Sequence, residues 1–409
     1  MDRTLDVYLH EQLVGLMVQD DNGDMVFDYN ESWINNPNAM PLSLSLPLRK
    51  ERYSRRECEG FFDGILPEDE NRRIIARNLG ISAKNDFAML EKIGGECAGA
   101  VTFIPSGNRF PEHDERYHHL SDTELANILR ILPRRPLMAG EEDIRLSLAG
   151  AQDKIAVHIA EGRISIPLGG APSTHILKPA IELYEGMVFN ESICMNLAHA
   201  IGLPTTKTEI SRVEEIDYLL VKRYDRTGGG DIPLKRLHQE DFCQALGIVS
   251  EHKYQNEGGP SLKQCFQLIR ETSSIPVNDL QSLLDGIIFN FLIGNNDAHG
   301  KNFSLIYDGG TRLAPFYDML CTVYYHELSK NMAMKIGGEY VSDKVTIRHF
   351  ERFTEEAGLG KPMVKRRLLD LAEMMISKLP EVTTEHPVVN EVARLIHRRC
   401  VHARQRFTE

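Results

Sequence analysis

Residues 279–318 read DLQSLLDGIIFNFLIGNNDAHGKNFSLIYDGGTRLAPFYD, and the rest of the chain is organised around this stretch. Its first part places apolar residues at steps of three and four, which predicts a buried helix. These residues are Leu280, Leu283, Leu284, Ile287, Ile288 and Phe291. Gly294 and Asn295 follow the last of them, and helices commonly end at such residues. The sequence therefore predicts a buried helix that leads into a polar loop.

Two short apolar runs flank Asp308-Gly309-Gly310, and this pattern predicts a β-hairpin. With a turn centred near residue 310, the numbers of cross-strand partners add up to about 620. Asn302 would then lie opposite Asp318 at the open end of the hairpin. Asp297 precedes Asn302 on the polar loop. The sequence thus predicts that two carboxylates and one amide cluster in a single local unit.

Carboxylate and amide oxygens are hard ligands, and they hold Mg²⁺ in proteins together with substrate phosphates. Protein kinases present their catalytic base and metal ligands in a similar order of Asp, Asn and a second Asp. The alternative is that Asp297 and Asn302 only form turns and that Asp318 caps a strand. The joint spacing of these residues with the hairpin favours a metal–phosphate site.

The composition is that of an ordinary globular chain with a negative net charge. Its 409 residues suffice for two or three domains, and 42% of them are hydrophobic. The net charge of −12 argues against nucleic-acid binding by the whole surface, but allows a basic patch or a DNA-binding partner. Seven cysteines without a CxxC pair predict free, mostly buried thiols in a reducing cytoplasm. We expect neither a signal peptide nor a membrane span.

The N-terminal part predicts a small α+β unit that ends near residue 105. Alternation over residues 5–28, around the turn signal Asp21-Asn22-Gly23, predicts short strands. Pro41–Leu48 alternates apolar and polar residues, which predicts a strand between prolines. A helix is expected over about 68–79. Because this unit carries no obvious chemistry, we interpret it as an interaction or scaffold module.

From residue 143, small residues separate two alternating runs, which predicts a strand, a tight loop and a strand. Small residues let backbone N–H groups approach a phosphate closely, although a plain hairpin turn has the same pattern. Thr174–Pro179 predicts a strand that carries Lys178, and a helix with Glu191 follows. Kinases grip the α- and β-phosphates with such a strand lysine and helix glutamate. For Glu191, a first-turn residue that suits the helix dipole is an equal alternative.

Further segments complete a kinase-like order. Glu215–Asp225 predicts a strand of the kind that joins two kinase lobes and meets adenine with its backbone. His238–Gly247 predicts a short helix, and Ser261 with Gln264 predicts a capping box for a helix over 262–272. The tail from residue 346 predicts amphipathic helices with a basic end. A solvated face is the default there, and a contact to DNA or an acidic partner is the alternative.

Together these segments make the chain resemble the HipA toxins, the serine/threonine kinases of HipBA-type bacterial toxin–antitoxin systems. The resemblance covers nearly the full length and rests on the segments Pro41–Leu48, Phe61–Pro67, Ser147–Lys154, His175–Lys178, His238–Asp241, Asp297–Asn302 and Phe316–Asp318. It implies an α+β, two-lobed kinase-like fold, similar to phosphoinositide kinases, with a small N-terminal α+β module and an all-helical C-terminal lobe. The implied domains are residues 1–105 (N-terminal module), 106–142 (linker and covering segment), 143–225 (kinase N-lobe core with the phosphate loop) and 226–409 (helical C-lobe with the catalytic loop).

The resemblance also implies roles for single residues. Asp297 would be the catalytic base, Asn302 and Asp318 would hold Mg²⁺, and Ser147 would be the autophosphorylated serine. Phosphorylation there would eject the phosphate loop, because it adds about −1.5 to −2 charge beside a site for ATP phosphates. The implied nucleotide-binding set is Leu148, Ala149, Gly150, Ala151, Gln152, Asp153, Lys154, Lys178, Lys222, Tyr224, His299, Asn302 and Asp318.

The implied function is transfer of the ATP γ-phosphate to a protein hydroxyl. The implied target is an aminoacyl-tRNA synthetase such as glutamyl-tRNA synthetase, whose phosphorylation arrests translation and favours persistence. The implied partners are a HipB-like helix-turn-helix antitoxin and, through it, operator DNA, in the cytoplasm and without a membrane. One alternative is an antitoxin-dependent co-repressor with weak or no kinase activity. Another is a lipid or small-molecule kinase, which no basic amphipathic stretch supports.

Overall fold

The computed structural model describes residues 3–21, 23–110, 116–181, 183–229 and 232–408, which form a mixed α+β protein. Its strands are β1 (Arg3–Leu9), β2 (Gln12–Gln19), β3 (Met25–Tyr29), β4 (Val101–Pro105), β5 (Arg116–His119), β6 (Ile155–Ala160), β7 (Arg163–Leu168), β8 (His175–Pro179), β9 (Thr208–Val213), β10 (Ile216–Lys222), β11 (Arg226–Gly229), β12 (Ile232–Arg236), β13 (His238–Asp241), β14 (Ser304–Tyr307), β15 (Thr311–Leu313), β16 (Asn331–Ile336) and β17 (Glu339–Val341). Its helices are α1 (Glu31–Ile34), α2 (Arg55–Asp63), α3 (Asp69–Leu79), α4 (Asp86–Ile93), α5 (Asp122–Ile131), α6 (Met187–Ala200), α7 (Phe242–Ala245), α8 (Leu262–Thr272), α9 (Pro276–Ile293), α10 (Ile347–Ala357), α11 (Lys361–Val382) and α12 (Pro387–Thr408).

The chain divides into two compact units. The first comprises residues 1–179 and 211–250, and the second comprises 180–210 and 251–409. These two units do not coincide with the four segments expected from the sequence. The boundaries of the four segments therefore stay a prediction. The segment 106–142, expected as a linker and covering segment, contributes strand β5 and helix α5 to the first unit.

The first unit contains a four-stranded sheet and most of a six-stranded sheet around one hydrophobic core, since residues 208–210 of β9 belong to the second unit. The strand orders are β3-β2-β1-β4 and β5-β7-β6-β8-β10-β9. The core is continuous from Leu5 in β1 to Tyr218 in β10, and it includes Phe62 of α2 and Leu148. Because apolar burial is the main favourable contribution to folding, this shared core holds the N-terminal module and the six-stranded sheet together.

A buried ionic cluster adds a polar link within the first unit. The Glu96 carboxylate accepts hydrogen bonds from Arg223 at 3.0 Å and Arg226 at 2.8 Å, and from the Ser173 hydroxyl at 2.9 Å. Arg223 also donates to Asp225 at 2.7 Å. Charges are stable in a protein interior only when they are paired, so this cluster fixes the chain that leaves β10 against the N-terminal module.

The second unit is mainly helical. Helix α9 lies in its core, with Ile288, Phe289 and Ile293 fully or almost fully buried. Helices α11 and α12 pack against each other and against α6 and α9. The hairpin of β14 and β15 follows α9, and a second hairpin of β16 and β17 lies further along. None of the helices in the described part of the chain is long and apolar enough to cross a membrane.

The predicted hairpin forms, but the predicted register is wrong. The observed partners are Leu305 with Leu313 and Tyr307 with Thr311, so extended pairing would place Asn302 opposite Phe316 rather than Asp318. The turn is centred on Gly309, which adopts a left-handed φ of 64°. Glycine reaches this conformation without steric cost, and the centre of the turn therefore lies one residue earlier than expected.

Three other local expectations need correction. Pro41–Leu48 is not a strand: it forms a turn with an isolated bridge between Ser43 and Leu46. The Glu240 carboxylate accepts hydrogen bonds from the Ser43 hydroxyl and the Leu44 N–H, which holds the segment out of a sheet. His238–Gly247 begins as strand β13 before the short helix α7. The run before the small residues forms only an isolated bridge at Leu146, whereas the run after them is strand β6.

The helix and thiol predictions are confirmed. Helices α3, α6, α8 and α9 cover the expected segments, and the tail from residue 346 forms α10, α11 and α12. Ser261 and Gln264 form the expected capping box. All seven cysteines are free and buried. Within the expected turn at Asp21-Asn22-Gly23, Asn22 lies outside the described residues.

Candidate active site

The polar loop after α9 begins at Gly294, a position where only glycine fits. Gly294 adopts a left-handed φ of 77° and donates its N–H to Asn290 and Phe291 carbonyls, which closes the helix. A Cβ atom at this position would lie 2.5 Å from Val323 Cγ2. Asn295 then donates to the Asn290 side chain at 2.8 Å. The end of α9 therefore fixes where the loop starts.

The backbone of the next residues is held by side chains. The Thr322 hydroxyl accepts a hydrogen bond from the Asn296 N–H at 2.7 Å, and the Asn295 side chain accepts one from the Asp297 N–H at 3.1 Å. The Asp297 side chain is exposed, and its Oδ1 accepts a hydrogen bond from the Tyr254 hydroxyl at 2.7 Å. The Asp297 side chain is therefore exposed to solvent, while the backbone that carries it is held by hydrogen bonds to the Thr322 and Asn295 side chains.

A single 3-10 turn, Gly300–Asn302, positions the amide of the site. His299 precedes this turn, and its N–H donates to Asn302 Oδ1 at 3.0 Å, while the Asn302 N–H donates to the His299 carbonyl at 3.0 Å. Asn302 Nδ2 then donates to Asp318 Oδ2 at 3.0 Å. The contact between Asn302 and Asp318 that the sequence predicted is therefore present, although extended strand pairing does not produce it.

Asp318 reaches Asn302 through a change of backbone direction. Its φ of 57° lies in the left-handed region, which is uncommon for residues other than glycine and is best tolerated by Asn and Asp. The preceding residue is anchored, because the Tyr317 hydroxyl donates to the Lys301 carbonyl at 2.6 Å. Strained backbone of this kind persists where the surrounding contacts determine it, and it is common at functional sites.

The donor set of the site suits a metal that arrives with a nucleotide. Asn302 and Asp318 offer one amide oxygen and one carboxylate, which fits Mg²⁺ because this ion binds one or two carboxylates and takes other ligands from phosphates and water. Among the described residues, no group of three or more His, Cys, Asp or Glu side chains is placed to hold a metal ion. The pair therefore does not fit a metal site closed by protein ligands alone.

The small-residue loop lies in the first unit and is held at both ends. The Glu96 carbonyl accepts a hydrogen bond from the Ser147 N–H at 2.9 Å, and Lys154 Nζ donates to the Ala149 carbonyl at 2.7 Å. Gly150 has a φ of 104°, which allows the tight bend. Burial raises the pKa of the Asp153 carboxyl, and this effect outweighs a hydrogen bond from Asn71 and the charge of Lys154.

The predicted autophosphorylation residue is inaccessible in this conformation. The Ser147 side chain is fully buried, and its hydroxyl donates to the Ile65 carbonyl at 3.0 Å. No pattern in the sequence indicates this burial. A hydroxyl that accepts phosphate must reach the phosphorus atom, so Ser147 has to leave this position before it can react.

The other predicted nucleotide residues of the first unit lie on or directly after strands β8 and β10. Lys178 is buried on β8, opposite Leu219 of β10. Lys222 is exposed at the end of β10 and lies opposite His175. Tyr224 is half-buried, and its hydroxyl donates to the Gln239 side chain. Burial, together with the charges of Lys222 and His158, lowers the pKa of His175 to about 4.

Glu191 is buried on α6 of the second unit, whereas Lys178 belongs to the first. Their pairing stays a prediction. Two residues beside the predicted ones were missed by sequence reasoning, namely Tyr254, which donates to Asp297, and Asn71, which donates to the loop at Ala151. Both contacts join segments that are distant in sequence, and no periodicity or motif indicates them.

Comparison with protein-family models finds two matches along the chain. The model of the HipA N-terminal domain matches residues 5–104, and the model of the HipA-like C-terminal domain matches residues 146–381. The second match alone covers more than half of the chain. The two matched ranges include every predicted site residue.

Individual relatives extend this similarity. A Sinorhizobium fredii protein named "Putative kinase Y4mE" is 45% identical over 376 residues, covering 91% of this chain and 90% of the relative. The serine/threonine-protein kinase toxin HipA of Shewanella oneidensis is 29% identical over 402 residues, covering 95% of this chain and 91% of the relative.

A solved structure supports the same fold. A chain in the complex of Shewanella oneidensis HipA, HipB and operator DNA matches with a TM-score of 0.86 at 26% identity, covering 98% of this chain and 99% of that one. The structural similarity therefore extends over the whole length, and the fold is the two-lobed kinase-like fold expected from the sequence.

Proposed function

Because this chain belongs to the HipA family, we propose that it is a serine/threonine protein kinase that transfers the γ-phosphate of ATP to a protein hydroxyl. The single observation that carries this proposal is the direct contact of Asn302 with Asp318 on the loop that presents the exposed Asp297. Phosphoryl transfer needs a group that positions the attacking hydroxyl and groups that neutralise phosphate charge. Asp297 would supply the first, and Asn302 and Asp318 would hold the Mg²⁺ that supplies the second.

In the proposed reaction, Asp297 accepts the proton of the attacking hydroxyl. The hydroxyl oxygen forms a bond to the γ-phosphorus, the bond from this phosphorus to the β,γ-bridging oxygen breaks, and ADP leaves. Mg²⁺ supplies neutralisation of the charge on the phosphate oxygens when it is bound. Asn302 and Asp318 would hold this ion, and the hydrogen bond from Tyr254 orients the Asp297 carboxylate before substrate arrives.

The nucleotide contacts of the first unit are part of the same proposal. Lys178 would neutralise the α- and β-phosphates, and residues 148–154 would cover the phosphates with their backbone N–H groups. Lys222 and Tyr224 would lie at the adenine side, with His299 near the phosphates. The position of Lys222, exposed at the end of β10, and of Tyr224, half-buried directly after it, supports this assignment.

The proposed biological role goes beyond the kinase activity itself. We propose that the protein target is an aminoacyl-tRNA synthetase such as glutamyl-tRNA synthetase, whose phosphorylation arrests translation and leads to persistence. Phosphorylation of Ser147 would end the activity, because a phosphate cannot occupy the buried position of this side chain. The proposed compartment is the cytoplasm.

A second candidate function is transcriptional co-repression through an antitoxin. The Shewanella oneidensis relative was solved as HipA with HipB and operator DNA, and the match to this relative covers nearly the whole chain. We propose a HipB-like helix-turn-helix partner for this chain too. With a net charge of −12, the chain would reach operator DNA through such a partner rather than alone.

Intact-mass and peptide analysis after incubation with Mg-ATP tests the kinase proposal. A sample without initial phosphate should gain one phosphate on Ser147, and Asp297→Gln should gain none while its unfolding midpoint stays close to the parent value. Asp308→Asn is the matched control, since Asp308 is an exposed aspartate at the hairpin turn. Phosphate gain by Asp297→Gln would overturn the base assignment. No gain by the parent protein would favour the co-repressor function.

A further inference from the structure

Within the first unit, the N-terminal module contacts the small-residue loop, residues 147–153, through hydrogen bonds and one backbone bridge. The Ile65 carbonyl accepts the Ser147 hydroxyl at 3.0 Å, and Pro67 forms a parallel bridge with Gly150. The side chain of Asn71 on α3 donates to the Ala151 carbonyl at 2.9 Å. We refer to residues 65–71 as the clamp. It contacts the loop at Ser147, Gly150 and Ala151.

Asn71 is the clamp residue that contacts the loop through its side chain. It is almost completely buried, with 9% of its surface exposed, whereas Ala151 at the tip of the loop is exposed. The Asn71 side chain also acts to lower the pKa of the Asp153 carboxyl, further along the same loop. The remaining clamp contacts involve backbone atoms of the module, and a side-chain substitution leaves those atoms in place.

The same contacts decide whether Ser147 can react. The Ser147 hydroxyl is bonded inside the module, and its N–H is bonded to the Glu96 carbonyl at 2.9 Å. The serine cannot leave this position while the loop that directly follows it stays held. Residues 65–71 therefore hold both Ser147 and the loop that follows it.

We propose that Asn71 is a positioning residue that holds the 147–153 loop in its closed form, so that release of the clamp controls both nucleotide covering and the exposure of Ser147. This rests on the proposed function for its kinetic consequences only, because the hydrogen bonds that hold the loop are made within the chain itself. The N-terminal module thereby has a specific role: it sets the fraction of time in which the loop is open.

A thiol probe measures this opening without any kinase activity. All seven native cysteines are buried, so Ser147→Cys introduces a reporter whose labelling by a small disulfide reagent requires opening. Adding Asn71→Ala should raise the labelling rate of this reporter about tenfold, which is the effect of one lost hydrogen bond on an equilibrium. Asn71→Asp should act in the same direction, because its carboxylate cannot donate to Ala151 and repels Asp153.

Asn78→Ala is the matched control on the same helix. Asn78 is exposed, and its side chain donates to the Arg134 carbonyl at 3.1 Å, away from the loop. Its substitution should leave the labelling rate unchanged. Equal labelling rates in the reporter protein and in both Asn71 variants would overturn the proposal, and so would immediate labelling of the reporter in the parent background.

With Ser147 restored, Asn71→Asp and Asn71→Ala should gain phosphate on Ser147 faster than the parent, and the KM for ATP should rise several-fold with little change in the initial kcat. Unfolding midpoints of the variants show whether they remain folded at the assay temperature. If labelling accelerates but no variant ever gains phosphate, the proposed kinase function fails while the role of Asn71 stands. If phosphate is gained at the parent rate and labelling is unchanged, the kinase function stands and the role of Asn71 fails.

Discussion

The side-chain amide of Asn190 pairs with both backbone groups of Cys321. Its Nδ2 donates to the Cys321 carbonyl at 3.0 Å, and its Oδ1 accepts the Cys321 N–H at 2.8 Å. Asn190 lies on α6 and is fully buried. One buried amide therefore fixes the chain shortly after Asp318, the proposed metal ligand.

Asn190→Ala should destabilise the second unit by about 2 kcal/mol, because it leaves the buried Cys321 N–H without its partner and removes one of two hydrogen bonds to the Cys321 carbonyl, which also accepts from the Tyr324 N–H. Urea denaturation should show this as a lower midpoint. Asn196→Ala is the control, because Asn196 is exposed on the same helix and bonds only weakly to Ser192 at 3.3 Å. A midpoint shift no larger than that of the control would contradict a structural role for the amide pair.

Asp318→Asn should raise the Mg²⁺ concentration needed for half-maximal phosphoryl transfer by about tenfold or more, since the site loses its negative charge. Asparagine is the appropriate replacement because it tolerates the left-handed φ of 57° at this position. The measurement is a Mg²⁺ titration at fixed ATP, with calorimetric titration of Mg-ATP as a second readout. An unchanged Mg²⁺ requirement would remove Asp318 from the metal assignment.

Glu96→Gln should cost about 3–5 kcal/mol of stability, because it removes the charge that Arg223, Arg226 and Arg236 share in the interior. Burial opposes ionisation of Glu96, but the three guanidinium groups outweigh it and hold the pKa of the carboxyl below its usual range. Its stabilisation is thus present above the unfolded-state pKa and is lost as the pH falls through the folded-state value.

Glu91→Gln is the matched control for this ionic cluster. Glu91 pairs with Arg3 at 2.6 Å near the surface, where an ion pair contributes less than about 1 kcal/mol. Urea denaturation of the full chain at pH 7 compares the two variants. Similar midpoints for both would show that the buried cluster adds nothing beyond a surface pair.

His238 should make the protein less stable as the pH falls from about 6.5 to about 4. Burial lowers the pKa of His238 to about 4, and its Nε2 lies 2.8 Å from the Leu42 carbonyl. In this pH window the unfolded chain binds a proton at His238 that the folded protein does not, so the free energy of unfolding rises with pH. The full effect is about 3 kcal/mol.

The test compares the pH dependence of urea unfolding between pH 4 and 7 in the parent protein and in His238→Gln. The variant should show a shallower slope. A residual slope is expected, because the pKa of His175 is also lowered to about 4 and this residue is unchanged. Identical slopes would exclude His238 as a source of the pH dependence.

Local features of the site could be predicted from the sequence because they depend on neighbours in the chain. The apolar periodicity of residues 280–291 predicted α9, and Gly294 predicted its end. The Asp308-Gly309-Gly310 signal predicted the hairpin but not its register, because the turn could be centred on either glycine. The alternation of Pro41–Leu48 predicted a strand that does not form. Instead, the Glu240 carboxylate accepts hydrogen bonds from Ser43 and Leu44, and these replace sheet pairing.

The helices, the loop that carries Asp297 and Asn302, and membership of the HipA family can be predicted from the sequence alone. These features follow from short-range periodicity, capping residues and motif spacing. The structure was needed to find that Asn302 contacts Asp318 at a left-handed residue, that Ser147 is buried against Ile65, and that Asn71 donates to Ala151. Such contacts join residues far apart in the chain, and their geometry is set by the packing of whole elements, which no local pattern contains.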